Sequence, residues 1–149
     1  MRIGLTCEVL GPVAPESEGA PLVFYAWRIP AGFPSPADDY VEQTLAPAAL
    51  LVRRPAATFF VKVSGPSMEG AGVLNGDILV VDRSIDAAAG DVVVAAIAGE
   101  LTVKRLVKRP TGWVLAPAHD GFPDIEIDPV EGVQIWGVVT WSLTPLCAR

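Results

Sequence analysis

The sequence predicts a mainly β, antiparallel domain with an extended N-terminal arm and one short helix. Six of the 14 prolines fall within the first 36 residues, where they disfavour regular packing. From residue 57 onward, short runs rich in Val and Ile alternate with turn signals, as in antiparallel barrels and sandwiches. An apolar fraction of 51% against 19% charged residues supports a packed core in one domain of 149 residues.

The proline-rich arm is predicted to be extended rather than part of the core. It contains one apolar patch, "PLVFYAW", which could dock as a strand.

The stretch "SPADDYVEQTL" predicts the short helix. Ser35 is a good N-cap residue, and Pro36 suits the first helical position. Asp38 stands three residues after the cap, as in a capping box, while Val41 and Leu45 form an apolar stripe.

Seven strands are predicted in the remaining chain. Turns containing "NGD", "AAAGD", "AGE", "RPTGW" and "HDGFPD" separate them. The predicted strands, in order, are "TFFVKVSG", "DILVVD", "DVVVAAIAG", "ELTVKRLVK", "GWVLAPA", "DIEIDP" and "VQIWGVVTW".

Charge and composition argue against several classes of function. A net charge of −6 and a pI of about 4.6 disfavour direct DNA or RNA binding, which requires a basic surface. Two cysteines, Cys7 and Cys147, with a single histidine cannot form a metal-binding cluster, so no metal or cofactor is expected. The cysteines are expected to be reduced, as is usual in the cytosol.

No membrane association is expected from the sequence. The first 19 residues lack the long apolar segment of a signal peptide. The longest charge-free stretch, Gly132 to Ala148, is interrupted by polar residues and proline, so it is a poor membrane span. We expect a cytoplasmic protein.

The stretch "FFVKVSGPSMEG" suggests chemistry, because a strand ends in a tight turn that carries Ser67. A serine nucleophile needs a base to remove its proton. His119 is one candidate, but Asp120 is its direct neighbour in a loop, which is a poor arrangement for a triad. Lys104 is the other candidate, provided that an apolar environment lowers its pKa from about 10.4.

Four segments in order, "SGPSMEG", "GDILVVD", "GDVVVAAIAGELTVKRL" and "WGVV", resemble the LexA/UmuD family of self-cleaving serine peptidases. The resemblance covers roughly residues 32–139, and Ser67 and Lys104 match the family's Gly-x-Ser-Met turn and Val-Lys-Arg strand. It implies an antiparallel β fold like the LexA C-terminal domain, Ser67 as nucleophile and Lys104 as general base. It also implies self-cleavage between Ala31 and Gly32, within "PAGFPSPADDYVEQ", which divides the chain into an arm of residues 1–31 and a β domain of residues 32–149.

The N-terminal part is similar to the mutagenesis branch of this family rather than to its repressors. Thirty-one proline-broken residues cannot supply the two amphipathic helices of a helix-turn-helix. The resemblance therefore implies an accessory protein of the SOS response to DNA damage, cleaved under stimulation by a RecA filament on single-stranded DNA. It further implies homodimers and a UmuC-type Y-family DNA polymerase as partner in translesion synthesis, without sequence-specific DNA binding.

Residues around the serine complete the hypothesis and leave alternatives open. The Ser67 amide could stabilise an oxyanion, but Pro66, where the family is thought to supply a second amide, has no N–H. Ser64 could orient Lys104 or merely bond local backbone, and Met68 is expected to pack beside the serine. Asp77 and Asp91 are expected to be structural.

Three other functional classes remain alternatives. Pro66 keeps open a non-cleaving β module that binds a polymerase or regulator. A signal peptidase also uses a Ser-Met turn and a Lys strand, but it would require a membrane anchor. A repressor without its DNA-binding half is the third.

Overall fold

The computed structural model describes residues 6–12, 22–25, 42–45, 47–128, 130 and 132–147. Strands dominate this part of the chain, and helical structure is limited to α1 (Pro47–Leu51) and two 3₁₀ turns, Pro55–Ala57 and Glu69–Ala71. The strands are β1 (Thr6–Pro12), β2 (Leu22–Tyr25), β3 (Glu42–Leu45), β4 (Thr58–Ser64), β5 (Ile78–Asp82), β6 (Val92–Ile97), β7 (Glu100–Arg109), β8 (Gly112–Ala116), β9 (Ile125–Glu126) and β10 (Gln134–Leu143).

Within the described residues, eight of these strands form one sheet in the order β1-β4-β5-β10-β6-β7-β8-β9. Every neighbouring pair is antiparallel. β2 and β3 pair with each other in a separate two-stranded sheet. The mainly antiparallel β class predicted from the sequence is therefore confirmed.

β10 connects the two halves of the large sheet. Its C-terminal part pairs with β5 and its N-terminal part with β6. The register shifts between Ile135 and Gly137 and again between Val139 and Trp141. Such bulges bend a strand and increase its twist, so the sheet can curve around its core.

Two clusters of buried side chains form the core of the described part of the chain. Adjacent residues of a strand point to opposite faces, and accordingly Val93 and Val94 belong to different clusters. Both faces of the sheet are thus covered, which agrees with the continuous apolar runs of β5 and β6. The first cluster contains Val61, Val63, Met68, Val73, Leu79, Val81, Val94 and Val103, and the second contains Val93, Ala95, Leu106, Leu115, Ile125 and Val138.

The seven predicted strands of the β region correspond to β4 through β10, and the "PLVFYAW" patch contains β2. The arm, however, is not wholly separate from the sheet, because Thr6–Pro12 forms β1 and pairs with β4. Proline content was a misleading guide here. The strand lies at the edge of the sheet with Pro12 at its end, where a missing N–H is tolerated.

The helix prediction was wrong where the structure describes it. Glu42–Leu45 forms β3, whose register with β2 runs from Tyr25 opposite Glu42 to Leu22 opposite Leu45. Pairing with another strand overrides a weak local preference for helix. The short helix lies directly afterwards, with Pro47 as its first residue, as the geometry of proline favours. Residues 35–41 lie outside the described residues.

Candidate active site

The turn after β4 holds Ser67 in a fixed backbone conformation. Gly65 has a φ of 113°, a conformation that favours glycine, and its N–H donates to Asn75 Oδ1 at 3.0 Å. The Ser67 carbonyl accepts a 2.8 Å hydrogen bond from the amide of Ala118. The turn is therefore tied to two other loops of the domain.

Gly70 allows this close approach. Its N–H donates to the carbonyl of Ala118 at 2.8 Å, and a Cβ at this position would lie 2.5 Å from that same oxygen. A larger residue would push the loop away. Gly70, two residues after Met68, thus helps to fix the position of Ser67.

Lys104 reaches the serine from β7. Its Nζ lies 3.0 Å from Ser67 Oγ, 3.0 Å from Thr102 Oγ1 and 3.0 Å from the carbonyl oxygen of Val103. Thr102 and Lys104 are two residues apart on one strand, so their side chains project to the same side. The structure thus brings together the two residues that the sequence singled out as nucleophile and base.

Both side chains of this Ser67–Lys104 pair are buried. Ser67 is 0% exposed and Lys104 is 1% exposed. Lys104 is therefore not a solvated strand lysine. Burial disfavours the ammonium form and lowers the pKa of Lys104 to about 8, against a smaller opposing effect of Cys7.

Cys7 is the unexpected neighbour of the pair. It lies on β1 opposite Val63 of β4 and packs against the first core cluster. Burial raises the pKa of its thiol to about 12, although Lys104 acts in the opposite direction, so the thiol stays neutral at ordinary pH. Cys7 and Cys147 are both free thiols in this structure.

The flanking residues occupy distinct environments. Met68 is completely buried and belongs to the core cluster beside Cys7, which agrees with a packing role. Ser64 is exposed at the end of β4. A second side-chain hydroxyl, besides that of Ser67, lies beside Nζ and belongs to Thr102. Alternation along "ELTVKRL" could have indicated Thr102, whereas no local pattern could have indicated Cys7.

His119 is not placed as a catalytic base. It is exposed in the loop after β8, its Nδ1 accepts a 3.0 Å hydrogen bond from Gly121, and its ring packs edge-on against Phe122. These local contacts match a surface loop residue.

The two aspartates expected to be structural do hold turns. Asp77 accepts hydrogen bonds from the Leu74 amide and from the hydroxyls of Ser142 and Thr144. Asp91 accepts one from the Ala88 amide.

The predicted cleavage site, Ala31 and Gly32, lies outside the described residues. A surface cavity of about 540 Å³ lies between the end of α1 and strands β4, β5 and β10, and neither Ser67 nor Lys104 lines it. Within the described residues there is no group of three or more His, Cys, Asp or Glu side chains that could hold a metal ion. The same residues contain no helix long and apolar enough to cross a membrane.

Comparison with known proteins places this geometry in a family. The model of the family described as peptidase S24-like matches residues 21–140. MucA of Salmonella typhimurium is 52% identical over 141 residues, covering 90% of this chain and 96% of MucA. ImpA of Escherichia coli is 52% identical over 116 residues, covering 78% of this chain and 79% of ImpA. A LexA repressor of Glaesserella parasuis is 35% identical over 142 residues, covering 91% of this chain and 66% of the repressor. The chain belongs to the S24-like family of peptidases.

Proposed function

We propose that this protein is a serine peptidase that cuts its own chain between Ala31 and Gly32, with Ser67 as nucleophile and Lys104 as general base. The observation that carries the proposal is the 3.0 Å contact between Lys104 Nζ and Ser67 Oγ in a buried site. Nucleophile and base must lie within hydrogen-bond reach, and this pair does.

Lys104 can act as a base only as a neutral amine. With its pKa lowered to about 8, roughly one molecule in ten carries the neutral form at pH 7, compared with fewer than one in a thousand for a solvated lysine. The neutral amine can still donate to Thr102 Oγ1 and the Val103 carbonyl while its lone pair accepts the Ser67 proton. Thr102 therefore has the role of a positioning residue.

The reaction then follows the steps of acyl transfer. Ser67 Oγ loses its proton to Lys104 Nζ and attacks the carbonyl carbon of Ala31. The resulting ammonium returns the proton to the Gly32 nitrogen as the peptide bond breaks, leaving Ala31 esterified to Ser67. Lys104 next takes a proton from a water molecule, whose oxygen attacks the ester carbonyl carbon. The ammonium returns this proton to Ser67 Oγ as the ester bond breaks, which releases Ala31 with a free carboxyl group and restores the serine and the neutral amine.

The substrate is the chain's own arm. The small residues Ala31 and Gly32 suit close approach of an extended segment to a narrow site. Tethering raises the effective concentration of the arm at the site, so a slow enzyme can still process it. The products are residues 1–31 and a shortened body of residues 32–149, which retains Ser67 and Lys104.

Oxyanion stabilisation depends on backbone donors. The Ser67 amide can serve, whereas Pro66 cannot supply a second one. We infer slow cleavage for this reason. The same proline supports a second candidate, in which the chain is a β module that binds a partner without cutting itself.

The relatives suggest a biological setting. Identity of 52% to MucA over nearly the whole of both chains, together with the motifs described above, supports a role in SOS mutagenesis after DNA damage. We propose stimulation by a RecA filament, dimer formation, and action of the shortened form with a UmuC-type Y-family polymerase in translesion synthesis. Similarity to a LexA repressor supports a shared self-cleavage chemistry but not a shared DNA-binding function.

The test is self-cleavage of the purified full chain at a pH near 10, followed by intact-mass measurement. We expect a product that begins at Gly32, present in the unaltered chain and absent in Ser67→Ala and Lys104→Ala. Ser64→Ala is the matched control and should cleave normally because Ser64 is exposed. Full-length chain in every sample, also with RecA filament added, would contradict the peptidase proposal and favour the binding module.

A further inference from the structure

Strand β1 occupies a sheet edge that self-cleavage would vacate. It pairs with β4 from Thr6 opposite Ser64 to Pro12 opposite Phe59, and the other side of β4 is paired with β5. Residues 6–12 belong to the segment released by cleavage at Ala31. The inference therefore rests on the proposed function, because loss of this segment converts β4 from an inner strand into an edge.

β1 is held by few side chains. Cys7 packs against the first core cluster, but Glu8 is exposed, Val9 is 40% exposed and Leu10 is 49% exposed. Its attachment thus comes from backbone hydrogen bonds to β4, from contact with β7 and from one small, half-buried side chain. A strand of this kind stays in place while tethered at high effective concentration, and it dissociates on dilution after the tether is cut.

The vacated edge has a defined chemistry. β4 would present unpaired N–H and C=O groups in a row, which is a template for another strand. Along β4, Val61 and Val63 are fully buried whereas Lys62 and Ser64 are exposed. The place left by the Cys7 side chain borders the apolar cluster, and the basic Lys62 stands where β1 presents Glu8.

We propose that removal of the arm opens the β4 edge as a docking site for an extended segment of a partner protein. This segment pairs antiparallel with β4, inserts a small apolar side chain at the Cys7 position and places an acidic side chain opposite Lys62. Main-chain pairing supplies the affinity, and the alternate side chains supply the specificity. The recognised pattern is small apolar, acidic, β-branched, which is the pattern of Cys7, Glu8 and Val9.

The test removes the arm without relying on self-cleavage. A site-specific protease sequence is inserted between Pro12 and Ala31 of a ¹⁵N-labelled Ser67→Ala chain, which is cut after folding and separated from its arm by gel filtration. The probe is a synthetic peptide spanning residues 4–14. We expect the peptide to shift the amide resonances of Val61 to Ser64 in the cut chain, and to leave the intact chain unchanged because β1 fills the site.

A charge exchange tests the specificity. Lys62→Glu should weaken binding of the probe peptide by about three- to tenfold, since like charges would then face each other across the strands. A peptide with Glu8→Lys should recover that loss on the Lys62→Glu chain. Lys108→Glu is the matched control, because this lysine stacks on Trp113 on β8 and should leave binding unchanged.

Three results would overturn the docking proposal. These are absence of shifts in the cut chain, equal shifts in cut and intact chains, and an arm fragment that remains bound through gel filtration at low micromolar concentration. Because the arm is removed by an added protease, each result is independent of whether Ser67 cleaves Ala31–Gly32.

Discussion

Ser67 Oγ and Lys104 Nζ lie 3.0 Å apart although 37 residues separate them in the chain. The contact depends on two local structures, a glycine-dependent turn tied to Asn75 and Ala118, and a long strand whose residue 104 faces inward. Neither structure alone brings a base to the serine. Three strands separate β4 from β7 in the sheet, and the two strands meet because Val63 of β4 and Val103 of β7 pack in one core cluster.

The rate of self-cleavage should rise with pH and level off above about pH 9. Only neutral Lys104 can accept the Ser67 proton, and burial lowers the pKa of this lysine to about 8. The midpoint of the profile should therefore lie near 8. Single-turnover rates measured by intact mass between pH 6 and 11 check this. A midpoint near 10.4 would mean that the lysine is solvated when it acts.

Thr102→Val should lower the plateau rate by about tenfold. The Thr102 hydroxyl lies 3.0 Å from Nζ, and a hydrogen bond to a charged group contributes about 1.5–3 kcal/mol. Losing this acceptor removes stabilisation of the ammonium, so the midpoint of the pH profile should also move to lower pH. Thr102→Ser should restore both values. Thr140→Val, which removes a partly buried hydroxyl bonded to Val80 on another strand, is the matched control. A plateau loss without any midpoint shift would indicate a structural role only.

Lys104→Met should stabilise the fold at neutral pH while abolishing cleavage. The folded-state pKa of about 8 lies below the unfolded value, so the unfolded chain binds more protons between these values and stability rises with pH across that range. The variant removes a penalty of up to about 3 kcal/mol at pH 7, less what the loss of the hydrogen bonds to Ser67 and Thr102 costs. Urea unfolding of both chains at pH 7 and pH 10.5 measures the difference in their free energies of unfolding. The stability advantage of Lys104→Met should largely vanish at the higher pH. Equal advantage at both pH values would refute the explanation.

Asp77→Ala should destabilise the fold by about 2–3 kcal/mol. The carboxylate is buried and bonded to the Leu74 amide and to the Ser142 and Thr144 hydroxyls, which the variant leaves without this acceptor. Although burial alone would raise its pKa, these hydrogen bonds hold the pKa of Asp77 below the usual value. The stability that the Asp77 carboxylate contributes should therefore be present above about pH 4 and be lost as the pH falls through its lowered pKa. Thermal unfolding between pH 2.5 and 7 tests this, with exposed Asp120→Ala as control.

Local pattern was sufficient for the strands β4 to β10, because each has its own β-branched run between turn residues. It was insufficient for β1 and β3, whose short polar or proline-flanked sequences become strands through pairing with distant partners. The same division applies to the site. Ser67 and Lys104 carry motifs that can be read along the chain, whereas the approach of Cys7 depends on which edge β1 occupies. Long-range pairing, not propensity, determined what sequence reasoning missed.

Pro66→Ala should accelerate self-cleavage. The substitution restores an N–H directly before Ser67, and a preorganised oxyanion donor typically contributes about 10²–10³ in rate. We expect a smaller gain, about tenfold, because the turn is held by Gly65 and Ala118 in a geometry adapted to proline. The midpoint of the pH profile should stay near 8, since the lysine environment is unchanged. Pro110→Ala in the turn between β7 and β8 is the matched control. An unchanged rate in Pro66→Ala would mean that the amide at this position does not reach the oxyanion, and that another donor serves the reaction.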